Sequence, residues 1–201
     1  MKTKNILVTP AILISLLTAG TASASFIPYP TVGVLNPVTY SFTATATGAI
    51  TAYFAAENTA SYTEQIGLMI NGVNTGIYGL NNKTSAVGDS ISWNVTAGDK
   101  LVFVDQVSTI GNSWYSDTAL NSDHVNHVYS TAYTGSLSGF PVSAGTYVAF
   151  EDLLNGGDKN YHDDTFVVTN VSAVPLPGAV WLMLGGLMGV FGLNRRKSAV
   201  V

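Results

Sequence analysis

The central part of the chain consists of short segments in which apolar and polar residues alternate, separated by turn-forming residues. Residues 38–46 alternate apolar with hydroxylated side chains, and residues 91–95 alternate Ile, Trp and Val with Ser and Asn. A period of two places successive side chains on opposite faces of a strand. The pair Asn71-Gly72 follows the apolar run 66–70 and is a strong signal for a hairpin turn. We therefore predict an all-β fold, an antiparallel β-sandwich of jelly-roll type.

The same pattern predicts the remaining strands and marks where the signal weakens. Residues 108–141 are polar and aromatic, and we expect long loops there with one or two strands. The last two strands are expected on either side of an acidic loop. The further predicted strands are residues 50–54, 77–80, 101–107, 146–150 and 165–171.

The segment between the two ends of the chain is strongly acidic. All 12 acidic residues lie between residues 25 and 173, where the only lysines are Lys83, Lys100 and Lys159. Such a domain repels nucleic acid and anionic lipid and attracts divalent cations. The chain has no cysteine, so the domain depends on its core or on bound metal rather than on disulfides. We assign residues 25–173 to one domain.

Residues 1–24 have the three parts of a secretory signal peptide. Lys2 and Lys4 precede an apolar run, and Ala22-Ser23-Ala24 forms an A-x-A pattern of small residues. This pattern suits the pocket of signal peptidase, and we expect cleavage after Ala24. The alternative, a short N-terminal membrane anchor, does not account for the small-residue site. We therefore expect the domain to be exported.

The other end of the chain carries a second apolar run. Residues 178–193 contain no charge, and Arg195, Arg196 and Lys197 follow almost at once. A transmembrane helix with its cations on the cytoplasmic side fits this order, although a full span needs about 20 apolar residues. A buried core helix does not fit, because it has to bury the cations or expose a helix that is apolar all round. We expect a membrane anchor that is either permanent or removed by processing.

The order of features in this tail resembles the PEP-CTERM sorting signal of Gram-negative bacteria, in its VPLP variant. The tetrapeptide Val174-Pro175-Leu176-Pro177 comes first, then an apolar helix containing Trp181, then the basic cluster. Leu176 stands where the commonest form has Glu. The resemblance implies that residues 174–201 are recognised by an exosortase, a transpeptidase-like membrane enzyme. It also implies an inner-membrane intermediate and later delivery to the cell surface, often in bacteria that make extracellular polysaccharide and biofilm.

The acidic loop between the last two predicted strands is the main candidate site. Calcium takes several carboxylate and amide oxygens from a turning backbone, and Gly156-Gly157 supplies the turn. The loop lacks the glycine and the terminal glutamate spacing of an EF-hand. The alternative is a loop in which these side chains cap turns and accept hydrogen bonds from backbone amides. The candidate ligands are Glu151, Asp152, Asp158, Asn160, Asp163 and Asp164.

The loop also resembles a motif of many bacterial surface proteins, in a domain family without assigned function. The motif consists of F-E-D, a glycine-rich turn, D-x-D-Y-N-D and a final strand. Asn160 and His162 depart from it. The resemblance implies a location on the bacterial surface. The matching residues are Phe150, Glu151, Asp152, Asp158, Tyr161 and Asp163.

Two further groups of residues are weaker candidates. His124 and His127 beside Asp123 form H-x-x-H, but a transition metal needs a third ligand and an ordered helix, so we expect solvent-facing histidines. The chain has no cysteine nucleophile, phosphate loop, dinucleotide fingerprint or G-x-S-x-G elbow. Four aromatic residues can either stack on sugar rings or pack within the fold; they are Trp114, Tyr115, Tyr129 and Tyr133.

These observations predict a non-enzymatic exported protein, a structural or adhesive module of the cell surface or extracellular matrix, associated with extracellular polysaccharide. Its expected partners are signal peptidase, an exosortase-type enzyme and, before processing, the inner membrane. Calcium is the one expected cofactor, and no nucleic-acid partner is expected. The alternative is a carbohydrate-binding or carbohydrate-active sandwich. A cleft with carboxylates about 5–10 Å apart favours a glycosidase, and an exposed row of aromatic residues favours a lectin.

Overall fold

The computed structural model describes residues 26–55, 60–137 and 139–176, and these form an all-β fold with almost no helix. Two single turns of 3₁₀-helix, Thr118–Leu120 and Leu154–Gly156, lie in the connections. The strands are β1 (Thr39–Ala44), β2 (Gly48–Phe54), β3 (Glu64–Ile70), β4 (Val73–Gly79), β5 (Ser90–Val95), β6 (Lys100–Val107), β7 (Asn112–Tyr115), β8 (Val128–Tyr133), β9 (Gly145–Phe150), β10 (Asp164–Thr169) and β11 (Val171–Leu176).

The strands form two antiparallel sheets. The first sheet has the order β11-β1-β6-β3-β4, and β7 pairs with the later half of β6. The second sheet has the order β5-β2-β10-β9-β8. The sequence-based prediction of an antiparallel all-β sandwich is confirmed at this level.

The two sheets pack face to face around one apolar core. Period-two alternation places Phe42, Leu68 and Phe103 of the first sheet inside, against Ile50 and Phe166 of the second. Most inner positions of these strands are apolar. A charged residue at an inner position is therefore a departure from the pattern that needs a physical explanation.

The outer face of the second sheet is covered as well. Tyr29, from the segment before β1, and Leu137, from the connection after β8, pack in one cluster with Tyr147 of β9 and Val167 of β10. Neighbouring residues of β9 and β10 face the core between the sheets. The two strands are therefore buried on both faces, and the acidic loop leaves the sheet from this doubly packed pair.

Most of the predicted strands are present. Asn71 and Gly72 connect β3 to β4 with φ angles of +50° and +82°, as a two-residue hairpin turn with both φ positive requires. The weakly patterned region 108–141 contains two strands, β7 and β8, as expected.

The prediction of one strand over residues 165–171 is wrong. β10 ends at Thr169 and β11 begins at Val171 in the other sheet. Asn170 between them has φ of +61°, a conformation that asparagine tolerates better than most residues. Its side chain accepts a hydrogen bond from the backbone N–H of Ala46 at 2.8 Å and donates one to the Ala46 carbonyl at 2.9 Å. These bonds anchor the change of direction between the sheets.

The last strand includes the start of the predicted sorting motif. Val174 pairs with Ser41 and Pro175 with Tyr40, so β11 continues beyond residue 173. Its place at the edge of the sheet accommodates a proline, which has no N–H to donate.

The other predicted features of the two ends lie outside the described residues. These are the cleavage-site residues Ala22 and Ala24, the apolar run 178–193, and the motif residues Pro177, Arg195, Arg196 and Lys197. Among the residues that the structure describes, none forms a helix long and apolar enough to cross a membrane.

Candidate metal centre

The end of β9 and the start of β10 bring the two ends of the acidic loop together. Phe150 pairs with Asp164 in the ladder, and the backbone N–H of Asp163 donates to the Phe150 carbonyl at 3.2 Å. Glu151 and Asp152 therefore leave the sheet beside the residues at which the chain returns to it. The loop between them lies at this end of the sandwich.

Glu151, Asp152 and Asp163 form one group, which we call the pocket carboxylates. One oxygen atom from each lies within 4.8 Å of the others. Two oxygens that bind one calcium ion at about 2.3–2.6 Å are at most about 5 Å apart, so this spacing fits a shared cation. The backbone N–H of Asp152 donates to Asp163 Oδ2 at 3.2 Å, which ties the two ends of the loop together.

The pocket carboxylates line a surface cavity of about 290 Å³. Asp158 and Asn160 line the same cavity, and the Asp158 carboxylate accepts hydrogen bonds from the backbone and the side chain of Asn160 at 3.1 and 2.7 Å. Glu151 Oε2 accepts the backbone N–H groups of Asn160 and Tyr161 at 3.1 and 3.2 Å. The hydrogen bonds expected of a loop whose side chains only cap turns are therefore present. The carboxylate groups still lie close together while they make these bonds.

A second group, the interior carboxylates, consists of Glu64, Asp105 and Asp164. Glu64 on β3 and Asp105 on β6 occupy inner positions of the first sheet, and Asp164 on β10 occupies an inner position of the second. They are 0%, 0% and 1% exposed. One oxygen from each lies within 4.8 Å of the others. Asp164, predicted as a loop ligand, thus belongs to a different group from Glu151, Asp152 and Asp163.

The interior carboxylates lack hydrogen-bond donors in regular positions. None of their six oxygens has a hydrogen-bond partner of normal geometry among the described residues. Two weaker contacts remain: the backbone N–H of Thr165, which opposes the rise in the pKa of Asp164, and the carboxyl group of Asp152 beside Glu64. Burial raises the pKa of Glu64 to about 12, and the neighbouring charge of Asp105 adds to the rise. Burial, with nearby carboxylates, also raises the pKa of Asp105 and that of Asp164 well above the ordinary range. An ionised carboxylate in such a place is costly unless it is paired, so the group requires either protons or a cation.

Asp152 connects the two groups. Its carboxylate lies close enough to that of Glu64 for the two to be joined by a hydrogen bond when they share a proton. The charge of Asp152 also raises the pKa of Asp105 and that of Asp164. The carboxylates of both groups therefore act on one another as one electrostatic unit.

The pocket carboxylates hold their protons more tightly than ordinary acids do. Burial raises the pKa of Glu151 to about 8 and that of Asp163 to about 6, and the charges of Asp163 and Asp152 respectively add to these shifts. Burial also raises the pKa of Asp152, against opposing contributions from its hydrogen bond with Glu64 and, to a smaller extent, from the charge of Lys83. A divalent cation at this position would relieve the repulsion between the carboxylates and displace their protons.

Two stacked side-chain rings hold the first residues of the acidic loop in position. Trp114 and His127 lie parallel with their centroids 3.8 Å apart. The Trp114 indole N–H donates to the Asp152 carbonyl, and His127 Nδ1 bonds to the Glu151 carbonyl at 2.8 Å. The rings therefore position the two backbone units that carry the first two pocket carboxylates.

The expectation that both histidines face solvent is wrong for His127. Its ring is fully buried, whereas His124 is exposed. His127 Nε2 bonds to Asp123 Oδ2 at 3.0 Å, and the same oxygen accepts the backbone N–H of Asn155 at 2.8 Å. The two ring nitrogens of His127 thus contact two oxygen atoms, the Glu151 carbonyl and the Asp123 carboxylate. The H-x-x-H pattern thus supports the loop through one histidine.

The four aromatic candidates do not form an exposed row. Trp114 and Tyr133 are 0% and 1% exposed, and Tyr115 and Tyr129 are partly buried. Trp114 belongs to the core between the sheets and Tyr133 to the cluster outside the second sheet. Packing explains the two buried residues, which cannot stack on a sugar ring at the surface.

The sequence-based candidates include most of the residues around one cavity but not two of the interior carboxylates, and their role as metal ligands stays a prediction. Five of the six predicted ligands, all except Asp164, line the surface cavity. Glu64 and Asp105 were not among the candidates. Their signal in the sequence is an acidic residue in phase with apolar residues of the same strand: Asp105 follows Leu101 and Phe103 at intervals of two and precedes Val107. Such a residue is predicted to point into the core.

Comparison with known proteins adds one family. No curated protein matches the chain. Residues 60–170, more than half of the chain, match a family model described as Domain of unknown function (DUF4114). The matched range runs from before β3 to the end of β10 and contains both carboxylate groups. The chain therefore belongs to the DUF4114 family.

Proposed function

We propose that this protein is an exported structural or adhesive module of the cell surface or extracellular matrix, with a jelly-roll-like sandwich that binds calcium at the pocket carboxylates. The observation that carries the calcium proposal is the convergence of Glu151, Asp152 and Asp163 within 4.8 Å at a surface cavity. Asp158 and Asn160 line the same cavity and add further oxygen atoms that can bind the ion.

The chemistry of the cavity favours calcium over other metals. Its candidate ligands are carboxylate and amide oxygens, which suit hard cations, whereas zinc and copper prefer sulfur and nitrogen ligands. His162 also lines the cavity, and its charge opposes, without reversing, the rise in the pKa of Asp163 that burial causes. Extracellular calcium modules bind with dissociation constants of about 10⁻⁴ to 10⁻³ M, so a site of this kind responds to calcium outside the cell.

The proposed location rests on the two ends of the chain. The A-x-A pattern supports export, and the VPLP motif, apolar run and basic cluster support membrane retention followed by processing by an exosortase-type enzyme. The paired edge strand adds a structural condition, because Val174, Pro175 and Leu176 are part of β11. An enzyme that cuts there has to act beside, or displace, the edge of the first sheet.

Calorimetric titration of the full chain with calcium tests the binding proposal. The variant Asp163→Asn removes one pocket carboxylate with little change in shape and is expected to weaken binding at least tenfold. Asp117→Asn is the matched control, because it removes one exposed charge and asparagine can still accept the Ala119 N–H at this turn. Equal affinities of the wild type and Asp163→Asn contradict the proposed site.

A further inference from the structure

We propose that the interior carboxylates bind a second calcium ion, enclosed between the two sheets. The ion would be held by Glu64 and Asp105 from the first sheet and by Asp164 from the second. This site is separate from the pocket carboxylates on which the proposed function rests. The ion would join the two sheets by metal coordination, whereas the rest of the core joins them by apolar contacts.

The first argument is the state of the interior side chains. All three are at least nine-tenths buried, and none of their six oxygens accepts a hydrogen bond of normal geometry from the described residues. Buried polar groups in folded proteins nearly always have partners, and buried charges are paired or bind metals. Acidic residues at three inner positions, supplied by two different sheets, are hard to explain by packing alone.

The second argument is geometric. One oxygen from each side chain lies within 4.8 Å of the others, which is the separation allowed around one ion with bonds of about 2.3–2.6 Å. If each carboxylate binds through both oxygens, three carboxylates supply six ligands. Calcium takes about six to eight oxygen ligands and accepts bidentate carboxylates.

The choice of metal follows from the ligand set. The group contains oxygen donors only, and sulfur or imidazole ligands, which favour zinc, copper and nickel, are missing from it. Magnesium usually keeps several water molecules in a tight octahedral shell. A site in which all three ligands are fully buried suits an ion that can exchange its water for carboxylates, which is calcium.

The two groups are electrostatically coupled. Asp152 of the pocket carboxylates lies beside Glu64, and its charge acts on Asp105 and Asp164. An ion in either group changes the electrostatic potential at the other group. A substitution in one group is therefore expected to alter the calcium affinity of the other as well.

The alternative is that the interior carboxylates remain protonated and bind no metal. The variants Asp105→Asn and Asp164→Asn separate the two cases, because asparagine has nearly the shape of a protonated aspartic acid but is a poor substitute for a charged ligand. If the group binds no metal, these variants behave like the wild type towards calcium. Melting curves recorded in chelator establish that each variant is folded.

The experiment is equilibrium dialysis of the full chain against radioactive calcium, which counts the ions bound per chain. We expect two ions for the wild type, one for Asp105→Asn or Asp164→Asn, and one for Asp163→Asn. Wild-type counts in Asp105→Asn and Asp164→Asn overturn the inference. A wild-type count of one that survives in Asp163→Asn and is lost in Asp105→Asn supports the interior site and contradicts the pocket site instead.

Discussion

Asp105 and Asp164 face one another across the interior of the sandwich, one on β6 of the first sheet and the other on β10 of the second. Each occupies an inner position that apolar residues occupy elsewhere on the same strand. Together with Glu64 they place carboxylates inside the core, directly behind the pocket carboxylates. Two aromatic rings, Trp114 and His127, hold the loop that carries the pocket carboxylates over this position.

The calcium-free protein is expected to lose stability as the pH rises from about 4 to about 8. Burial raises the folded-state pKa of Asp163 to about 6 and that of Glu151 to about 8, whereas the unfolded chain releases these protons near pH 4. In this window the folded state binds more protons than the unfolded state, so the free energy of unfolding falls as the pH rises. Melting temperatures of the protein in chelator at pH 5 and pH 8 measure this loss of stability.

Calcium should remove most of this loss, because the cation binds the deprotonated carboxylates. The same pair of measurements in excess calcium provides the comparison. A chelated protein that becomes more stable between pH 5 and pH 8 contradicts the raised pKa values of the pocket carboxylates.

The substitution Gly157→Ala is expected to weaken calcium binding. A Cβ at this position would lie 2.3 Å from Glu151 Oε1, so the carboxylate has to move. Gly98→Ala is the matched control, because Gly98 also has a positive φ but has no atom within 4 Å of a new Cβ. Both substitutions strain the backbone by about 1 kcal/mol. Titration should show lower calcium affinity for Gly157→Ala alone, and an equal loss in both variants would show that Glu151 is not a ligand.

Two truncations test the end of the fold and the anchor together. Deletion of residues 177–201 keeps all of β11, whereas deletion of 174–201 removes the pairings of Val174, Pro175 and Leu176 with β1. We expect both to release the protein from membranes. The longer deletion should also lower the free energy of unfolding by about 1–3 kcal/mol, from a few lost backbone hydrogen bonds.

Membrane fractionation and denaturant unfolding measure the two effects. Protein that stays in the membrane fraction after deletion of 177–201 contradicts the proposed anchor. Equal stability of the two truncated chains contradicts the contribution of residues 174–176 to the first sheet.

The exported protein is expected to begin at Ser25. Ala22 and Ala24 provide the small side chains that signal peptidase selects, and Ala24→Leu should block cleavage at this position. Intact-mass measurement of protein recovered from outside the inner membrane gives the answer directly. A mass that includes residues 1–24 rules out this processing site.

The proximity of the pocket carboxylates could be predicted from the sequence, whereas that of the interior carboxylates could not, and the reason is the distance along the chain. Glu151, Asp152 and Asp163 belong to one loop, so their proximity follows from a turn between neighbouring strands. Glu64 and Asp105 come close to Asp164 only through the stacking of two sheets, and the register between sheets cannot be read from alternation. The acidic residue in phase with Leu101 and Phe103 does predict an inward direction, but it does not identify the partner.

The C-terminal strands show the same difference between features that depend on local sequence and features that depend on distant contacts. Residues 165–171 alternate like one strand, and the break at Asn170 depends on hydrogen bonds to Ala46 in a distant turn. The hairpin at Asn71-Gly72, by contrast, was predictable, because the two φ angles that it needs are a local property of these residues.

Calcium-dependent melting of the full chain tests the central claim most directly. At a calcium concentration ten times the dissociation constant, one site adds about 1.4 kcal/mol to the free energy of unfolding. We expect the melting temperature to rise with calcium, to return with chelator, and to respond far less in a chain that carries both Asp163→Asn and Asp105→Asn. A wild-type melting curve that does not change up to about 10 mM calcium, well above the affinity range of extracellular modules, would contradict the account.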